Sequence, residues 1–464
     1  MMIHRILNFL VVLFILFAFA RYTAAQVQGI PLSLDEAIAL ALKQNITLQS
    51  ARDRLTSANI SLEAAKSDFQ IKIRPEVSGL LRQDQTLDQA YGIQVSKRLK
   101  FGSTVQWQTN TYIDESLDNA YQTDVTLSLT QPLLKGRGTL PTMQEQVSAE
   151  RSVQSQLRSL MLAQQQLMIN AASNYYGILR DEMLIEVNQR ALERAQLLLQ
   201  AAEAKLKIGM ASKMDVFRAE LQVLTSKNGM VDALESLDNM RRQFNLLLGV
   251  DLETTFDLTS TLEYHAVEVQ KEELLQYALE HRLELQEAAD AVQDAERRLK
   301  IAKQNLYPPL DLSIQYTFSG EGDAFDQSLD LGEKYWGIGV NSSFHLDFAR
   351  DRAVHQQAQL SLNSAIRAWE AAQQDVILEV LQTINSVKQA QARVELQKQS
   401  VMQAEKQLEL SELRYKKGLS DNLDVIDAEE AVLNANTSYY SAIAQHLITQ
   451  LRLKQAAATL ETPF

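Results

Sequence analysis

The chain has 464 residues, a formal net charge of −13, 16 glycines, 7 prolines and no cysteine. Without thiols there is no disulfide scaffold, thiolate metal site, cysteine nucleophile or lipid-modified cysteine, and the acidic balance without a basic cluster disfavours nucleic acid. So little glycine and proline in so long a chain implies long uninterrupted elements.

His4 and Arg5 precede an apolar run from Ile6 to Ala20 broken only by Asn8, and "TAAQ" follows. This is the layout of a cleavable signal peptide, residues 1–25, so the mature chain is expected to be exported. The run is too short to span a bilayer as a helix, and no later segment approaches the roughly 18 uncharged apolar residues that a spanning helix needs. Entry into a membrane would therefore use strands. A first repeat is expected over 26–249. It holds a helix containing "ALKQNITLQSA" at Ala41, strands over 75–131, a long helix over 143–208 and a return helix over 213–248. Residues 250–270 break the helical pattern and read as a connector of short strand and loop. A second repeat over 271–464 holds a helix with "ALEHRLELQEA" at Ala278, strands over 310–344, a long helix over 350–416 and a return helix over 421–460.

The helices are read from what is missing. Residues 142–307 and 310–462 contain no proline, and Gly418 is the sole glycine after Val340. Each such block therefore reads as two long helices folded once. The folds coincide with "KIGMASKMDVFRAE" from Lys207 and "KKGLSDNLDVIDAE" from Lys416, identical at six of fourteen positions. Gly209 and Gly418 stand where a helix end needs a residue of positive φ. A period of seven joins Ile366, Val380, Val387, Val394, Val401, Leu408 and Tyr415, interrupted by Gln373. Leu157, Ala171, Ile178, Ile185, Leu192, Leu199 and Leu206 repeat it in the first half. Sustained sevens impose a left-handed supercoil, and a helix over 143–208 would run roughly 100 Å at about 1.5 Å per residue.

The strands alternate. In "LDLSIQYTFS" from Leu310 apolar and polar residues take strictly opposite faces, and "YWGIGVNSSF", "VTLSLTQ", "PEVSGLLR", "YGIQVSKRL" and "STVQWQTNTYI" follow the same texture. Strands of about ten residues, apolar outward and polar inward, suit a transmembrane barrel. Four to six strands cannot close one, since about eight is the smallest closed form, and an open edge cannot stay in lipid. Several chains must contribute.

With its tandem halves, "TQPLLKGRG" at Thr130, "FNLLLG" at Phe244 and the twin bends, the chain resembles the outer membrane efflux protein family, the TolC-like channels. The resemblance implies a homotrimer that is mainly α with membrane β. About four strands per protomer would make a twelve-stranded barrel in the bacterial outer membrane, continued by a coiled-coil helical tunnel in the periplasm. It implies an exit duct of a tripartite efflux or type I secretion system, with a periplasmic adaptor protein and an inner-membrane RND, ABC or MFS transporter as partners. The first half departs from this plan, carrying alternating segments for an extra hairpin between Tyr91 and Ile113.

By the same resemblance Asp424 and Asp427 line the tunnel's narrowest ring, and Asp215 and Tyr415 tie inner to outer helices in the closed state. Ser420 stands where an arginine can strengthen that lock. Gly209, Met210 and Ser212, with Gly418, Leu419 and Ser420, form the adaptor-docking tip. Simpler roles run alongside. Ser212 with Asp215, and Asp421 with Asp424, have capping-box spacing; Tyr415 continues the heptad stripe; the glycines suit a turn. Two other classes are weighed. An enzyme finds little support, because the six histidines show no metal-ligand spacing and no nucleophile or phosphate-cradling motif occurs, so neither metal nor cofactor is expected. A structural coiled-coil protein of the envelope, without a pore, would leave the strands unexplained.

Overall fold

Short polar side chains fix the ends of helices. In this computed structural model, residues 30–81, 87–113, 121–343 and 347–460 are described; the signal-peptide segment lies outside them. Strand β1 (Ile30–Leu32) leads to α1 (Leu34–Gln44), where Ser33 and Glu36 form a reciprocal capping box. Helix α2 (Ile46–Ser67) follows directly. Then come β2 (Lys72–Leu81), β3 (Leu87–Arg98), β4 (Thr104–Ile113) and β5 (Tyr121–Pro132), the short α3 (Thr139–Thr142), the long α4 (Gln144–Lys207) and α5 (Lys213–Leu248). After β6 (Phe256–Leu258) the pattern returns as α6 (Lys271–His281), α7 (Leu283–Gln304), β7 (Asp311–Gly322), the short α8 (Phe325–Ser328) and β8 (Glu333–Asn341). The long α9 (Ala349–Lys416) and α10 (Leu423–Ala456) complete it. Helices α4 and α9 have 64 and 68 residues, each about 100 Å of axis at about 1.5 Å per residue.

Two compact units emerge, and neither follows the repeats. One takes the described residues within Met1–Ser50, Met161–Glu280 and Val376–Phe464; the other takes Ala51–Leu160 and His281–Asp375. Each draws on both halves of the sequence.

In the first unit the valine stripe of α9 is core: Val380, Val387 and Val394 are fully buried, with Leu408 and Tyr415 nearly so. Each buried aliphatic side chain contributes about 1.5–3 kcal/mol. In α4 the stripe is core at Ala171 and Ile178, and beyond them the buried line shifts to Ala191, Ala195, Leu198 and Ala202, while Leu192, Leu199 and Leu206 are half-buried. Small alanines permit close approach of backbones, so the larger residues of that stripe lie at its margin. The connector is stitched in by polar groups. Strand β1 pairs in parallel with β6. The buried Tyr175 hydroxyl donates to the Leu32 carbonyl at 3.0 Å and accepts from the Ser260 N–H at 3.2 Å, and Asn245 donates to the Leu252 and Thr254 carbonyls.

The second unit holds a six-stranded antiparallel sheet in the order β2-β3-β4-β5-β7-β8. Its register keeps the two faces chemically distinct. One row across all six strands reads Ile73, Val95, Trp107, Leu127, Tyr316, Trp336; the adjacent row on the opposite face reads Arg74, Gln94, Gln108, Thr126, Thr317, Tyr335. A slip of one residue in any pair would interchange the faces. The hairpin left open by the sequence, β3 and β4, is thus an integral part of the sheet, which has six strands, the four expected and the hairpin. In the same unit Arg158 of α4 grips α7, donating to Glu287 at 2.7 Å and Asp290 at 2.9 Å.

Candidate functional site at the twin bends

Both long helices end in the same way. At the first bend the Gly209 N–H donates to the Leu206 carbonyl at 3.0 Å and the Met210 N–H to Lys205 at 2.8 Å. At the second, Gly418 donates to Tyr415 at 3.1 Å and Leu419 to Arg414 at 2.9 Å. These are paired Schellman closures, and they put Gly209 at φ 77° and Gly418 at φ 72°, the left-handed region that glycine enters without strain. A side chain at Gly209 would meet open space, so conformation alone demands the glycine. The residues after the glycines, Met210 and Leu419, are 63% and 66% exposed. Apolar side chains displayed at a helix corner contribute nothing to this chain's own core.

The return helices start differently. Ser212 caps α5 with a reciprocal box. Its N–H donates to Asp215 Oδ2 at 2.8 Å, its hydroxyl to the same oxygen at 2.8 Å, and the Asp215 N–H returns to Ser212 Oγ at 3.2 Å. The backbone bond from Ser212, aided by its hydroxyl and by Arg218, holds the Asp215 carboxyl below the ordinary range despite partial desolvation. At the second bend the capping box expected from Asp421 and Asp424 does not form. The helix begins one residue later, with Asn422 as N-cap in helical conformation and without a side-chain cap bond, and Asp421 Oδ1 accepts from the Leu423 N–H at 3.1 Å instead. Asn422 is fully buried and reaches across: its Nδ2 donates to the Asp215 carbonyl at 2.6 Å. Arg218 ties the same corner, 3.6 Å from Asp421 Oδ2 and 4.0 Å from Asp215 Oδ1.

Tyr415 lies in the core between these elements, but the expected hydrogen bond to Asp215 is not made. Its hydroxyl is buried without a hydrogen-bond partner among the described residues. Burial, with the charge of Asp215, raises its phenol above the usual value. What holds Tyr415 is Lys205, whose ammonium sits 3.5 Å from the ring centroid and donates to the Tyr415 carbonyl. Burial lowers the Lys205 pKa. The Ser420 hydroxyl is likewise buried and unpartnered.

Asp424 and Asp427 are exposed on one face of α10, with no hydrogen bond or ion pair among the described residues. Two residues on, Glu429 points the other way, nearly buried, and accepts from Arg194 Nε at 2.7 Å. Burial raises the Glu429 pKa, and the Arg194 charge and hydrogen bond only partly oppose this. The pair borders a cavity of about 300 Å³ that Tyr415 and Lys205 also line. Sequence reading missed it for a plain reason. The positions matching Arg194 and Glu429 in the other half are Gln403 and Glu220, so the duplication that marks the bends gives no sign of an ion pair between them.

A family model for the outer membrane efflux protein matches residues 274–459. The outer membrane protein TolC of Escherichia coli strain K12 is 25% identical over 371 residues, which cover 76% of this chain and 72% of that one. Over those residues the chain is similar to the outer membrane efflux protein family. Solved structures extend the likeness of fold over nearly all of it. VceC from Vibrio cholerae matches with a TM-score of 0.69 at 19% identity, covering 91% of this chain and 95% of its own. The MtrE outer membrane channel of Neisseria gonorrhoeae matches with 0.69 at 16%, covering 92% and 91%. Each of these relatives and neighbours is by name an outer membrane protein.

Proposed function

We propose that the protein is the passive exit duct of a tripartite efflux or type I secretion system. Three copies jointly wall the passage, and an inner-membrane RND, ABC or MFS transporter feeds it through a periplasmic adaptor. The observation that carries this reading is the twin bend. Two corners of one backbone geometry, 209 residues apart, each display an apolar residue, Met210 or Leu419, that the chain itself leaves uncovered. Three copies present a ring of six such corners, which a ring of adaptor hairpins can grip. Asp424 and Asp427 supply two free carboxylates per copy on one helix face. Gathered round a three-fold axis they repel one another and attract cations.

The test uses the full-length exported protein in its native envelope. A photo-crosslinking residue at Met210 or Leu419 should capture the adaptor, and one at Leu197, exposed on the flank of α4, should not. Equal capture at all three sites sinks the docking assignment. In planar bilayers, Asp424→Ala/Asp427→Ala channels should lose block by multivalent cations; block that persists unchanged removes the aspartate ring.

A further inference from the structure

The hairpin β3–β4 is placed where it must alter the barrel itself. Strand β2 pairs with β3 over ten residue pairs, β3 with β4 over ten, and β4 with β5 over ten. The first strand of the sheet and the fourth therefore meet only through the hairpin; moving it aside would require a new register between β2 and β5. Its strands, with 12 and 10 residues, have the length of about 9–11 residues that a tilted strand needs to cross a bilayer. The faces agree as well. Trp107 continues the apolar row of its neighbours, while Gln106, Gln108, Asn110 and Tyr112 make a side-chain ladder on the polar face, with steps of 3.0, 3.2 and 3.1 Å. Gly92 belongs to this fit, since a Cβ there would lie 2.3 Å from Asn110 Oδ1.

Parity also permits it. A hairpin adds two strands, so β8 still runs opposite to β2, and one copy's β8 can pair antiparallel with the next copy's β2. A single extra strand would have broken the alternation that a closed antiparallel barrel requires.

We propose that three copies of this chain close an 18-stranded barrel, three times the six strands of its sheet, in place of the twelve that the family resemblance implies. The inference rests on the trimeric duct proposed above. With strands about 4.8 Å apart and tilted about 40°, backbone diameter grows from about 24 Å for twelve strands to about 36 Å for 18. The outer-membrane segment thus joins the size class of barrels that keep an open aqueous lumen. The hairpin lines its share of that lumen with neutral amides and hydroxyls along β4.

Single cysteines test this cleanly, because the chain has none of its own. In the full-length protein reconstituted in lipid nanodiscs, a nitroxide at Ser128→Cys on the polar face of β5 reports the spacing of three-fold-related sites. About 31 Å is expected for 18 strands, against about 21 Å for twelve. A distance near 21 Å overturns the proposal. Independently, a membrane-impermeant maleimide should modify Gln108→Cys at least about tenfold faster than Trp107→Cys, whose position faces lipid. Equal reactivity at both positions overturns it too, because a hairpin lying off the barrel is wetted on both faces. Native mass spectrometry separates the two levels: a trimer with the shorter distance rejects only the wide barrel, whereas a monomer rejects the trimeric duct as well.

Discussion

Both bends close their long helices with the same two backbone hydrogen bonds and a left-handed glycine, but they begin the return helices on different chemistry. The first is fastened locally, by Ser212 and Asp215 within one turn. The second gives up its own cap and spends Asn422 on the carbonyl of Asp215, so that it is fastened to the first. Where the first bend has Arg218, paired towards Asp421 and Asp215, the second has Asp427, paired with nothing described. Duplication preserved the corner and freed one copy to change. The difference shows that a repeated backbone motif can carry two electrostatic roles, one stabilising the turn and one leaving charge exposed.

The strongest way to break this corner lies in the Arg194–Glu429 pair. Arg194 is part-exposed and can hydrate if its partner goes, whereas Glu429 is nearly buried. Arg194→Met leaves a buried carboxylate without its cation and should cost about 3–5 kcal/mol, read as a lower temperature of trimer dissociation; Glu429→Gln added to it should restore most of the loss. The pH response fixes the sign. Glu429 titrates above its ordinary value of 4.5 in the folded chain, so its contribution is full below 4.5 and is lost as pH rises through the folded value. Asp215 is lowered from 3.8 and contributes the opposite slope, present above 3.8 and lost only on further acidification. Arg194→Met should therefore recover stability steadily as pH falls from neutral towards 4.5. A flat response would remove Glu429 from the account.

Next in size are the two glycines. Gly209→Ala and Gly418→Ala each force a side chain into the left-handed region, at about 1–2 kcal/mol. Because the closures are alike, the two losses should agree within about 0.5 kcal/mol. A markedly larger loss at Gly418 would show that the second bend's glycine also serves the contact with Met210, whose methyl lies 3.9 Å from a Cβ built on Gly418.

Much of this fold could be read before any coordinates, and the reasons are local. The valines of α9 at sevenfold spacing are buried because a regular helix puts every seventh residue on one side. Strand faces are legible because the period of two survives in Leu310–Ser319 and Val125–Gln131. The bends are legible through Gly209 and Gly418, whose positive φ few other residues tolerate. What escaped depends on partners distant in sequence. Asn422 looks like a turn residue until the Asp215 carbonyl is beside it, and Arg194 with Glu429 lie 235 residues apart. Whether β3 and β4 joined the sheet hinged on pairing with β2 and β5, which alternation within a strand does not specify.

Local and cross-bend fastening can be separated at modest cost. Ser212→Ala removes a helix cap and should cost about 1 kcal/mol, without changing conductance, because the tie from Asn422 to the Asp215 carbonyl does not involve the serine. Asn422→Ala leaves that carbonyl without its donor and should cost about 1–3 kcal/mol; it should also raise the open probability of single channels if the cross-bend tie holds the corners together. Matching conductance in the two variants would erase the distinction drawn between the bends.

The smallest effect is expected at Tyr415. Its ring packs in the core and carries the Lys205 ammonium on its face, yet its hydroxyl is buried without a partner. Tyr415→Phe keeps the ring and removes a polar atom that burial leaves unsatisfied, so stability should stay within about 0.5 kcal/mol of the natural protein or rise slightly. Closed-state conductance should also hold, since the groups that bridge the corners are Asn422, Arg218 and Arg194. A leakier channel from Tyr415→Phe would mean that the phenol finds Asp215 once three copies assemble, and that Ser212 yields the carboxylate to it. The same measurement on Ser212→Ala then decides the matter: freeing Asp215 Oδ2 from the serine should tighten a lock of that kind and leave a bend fastened by Asn422 unchanged.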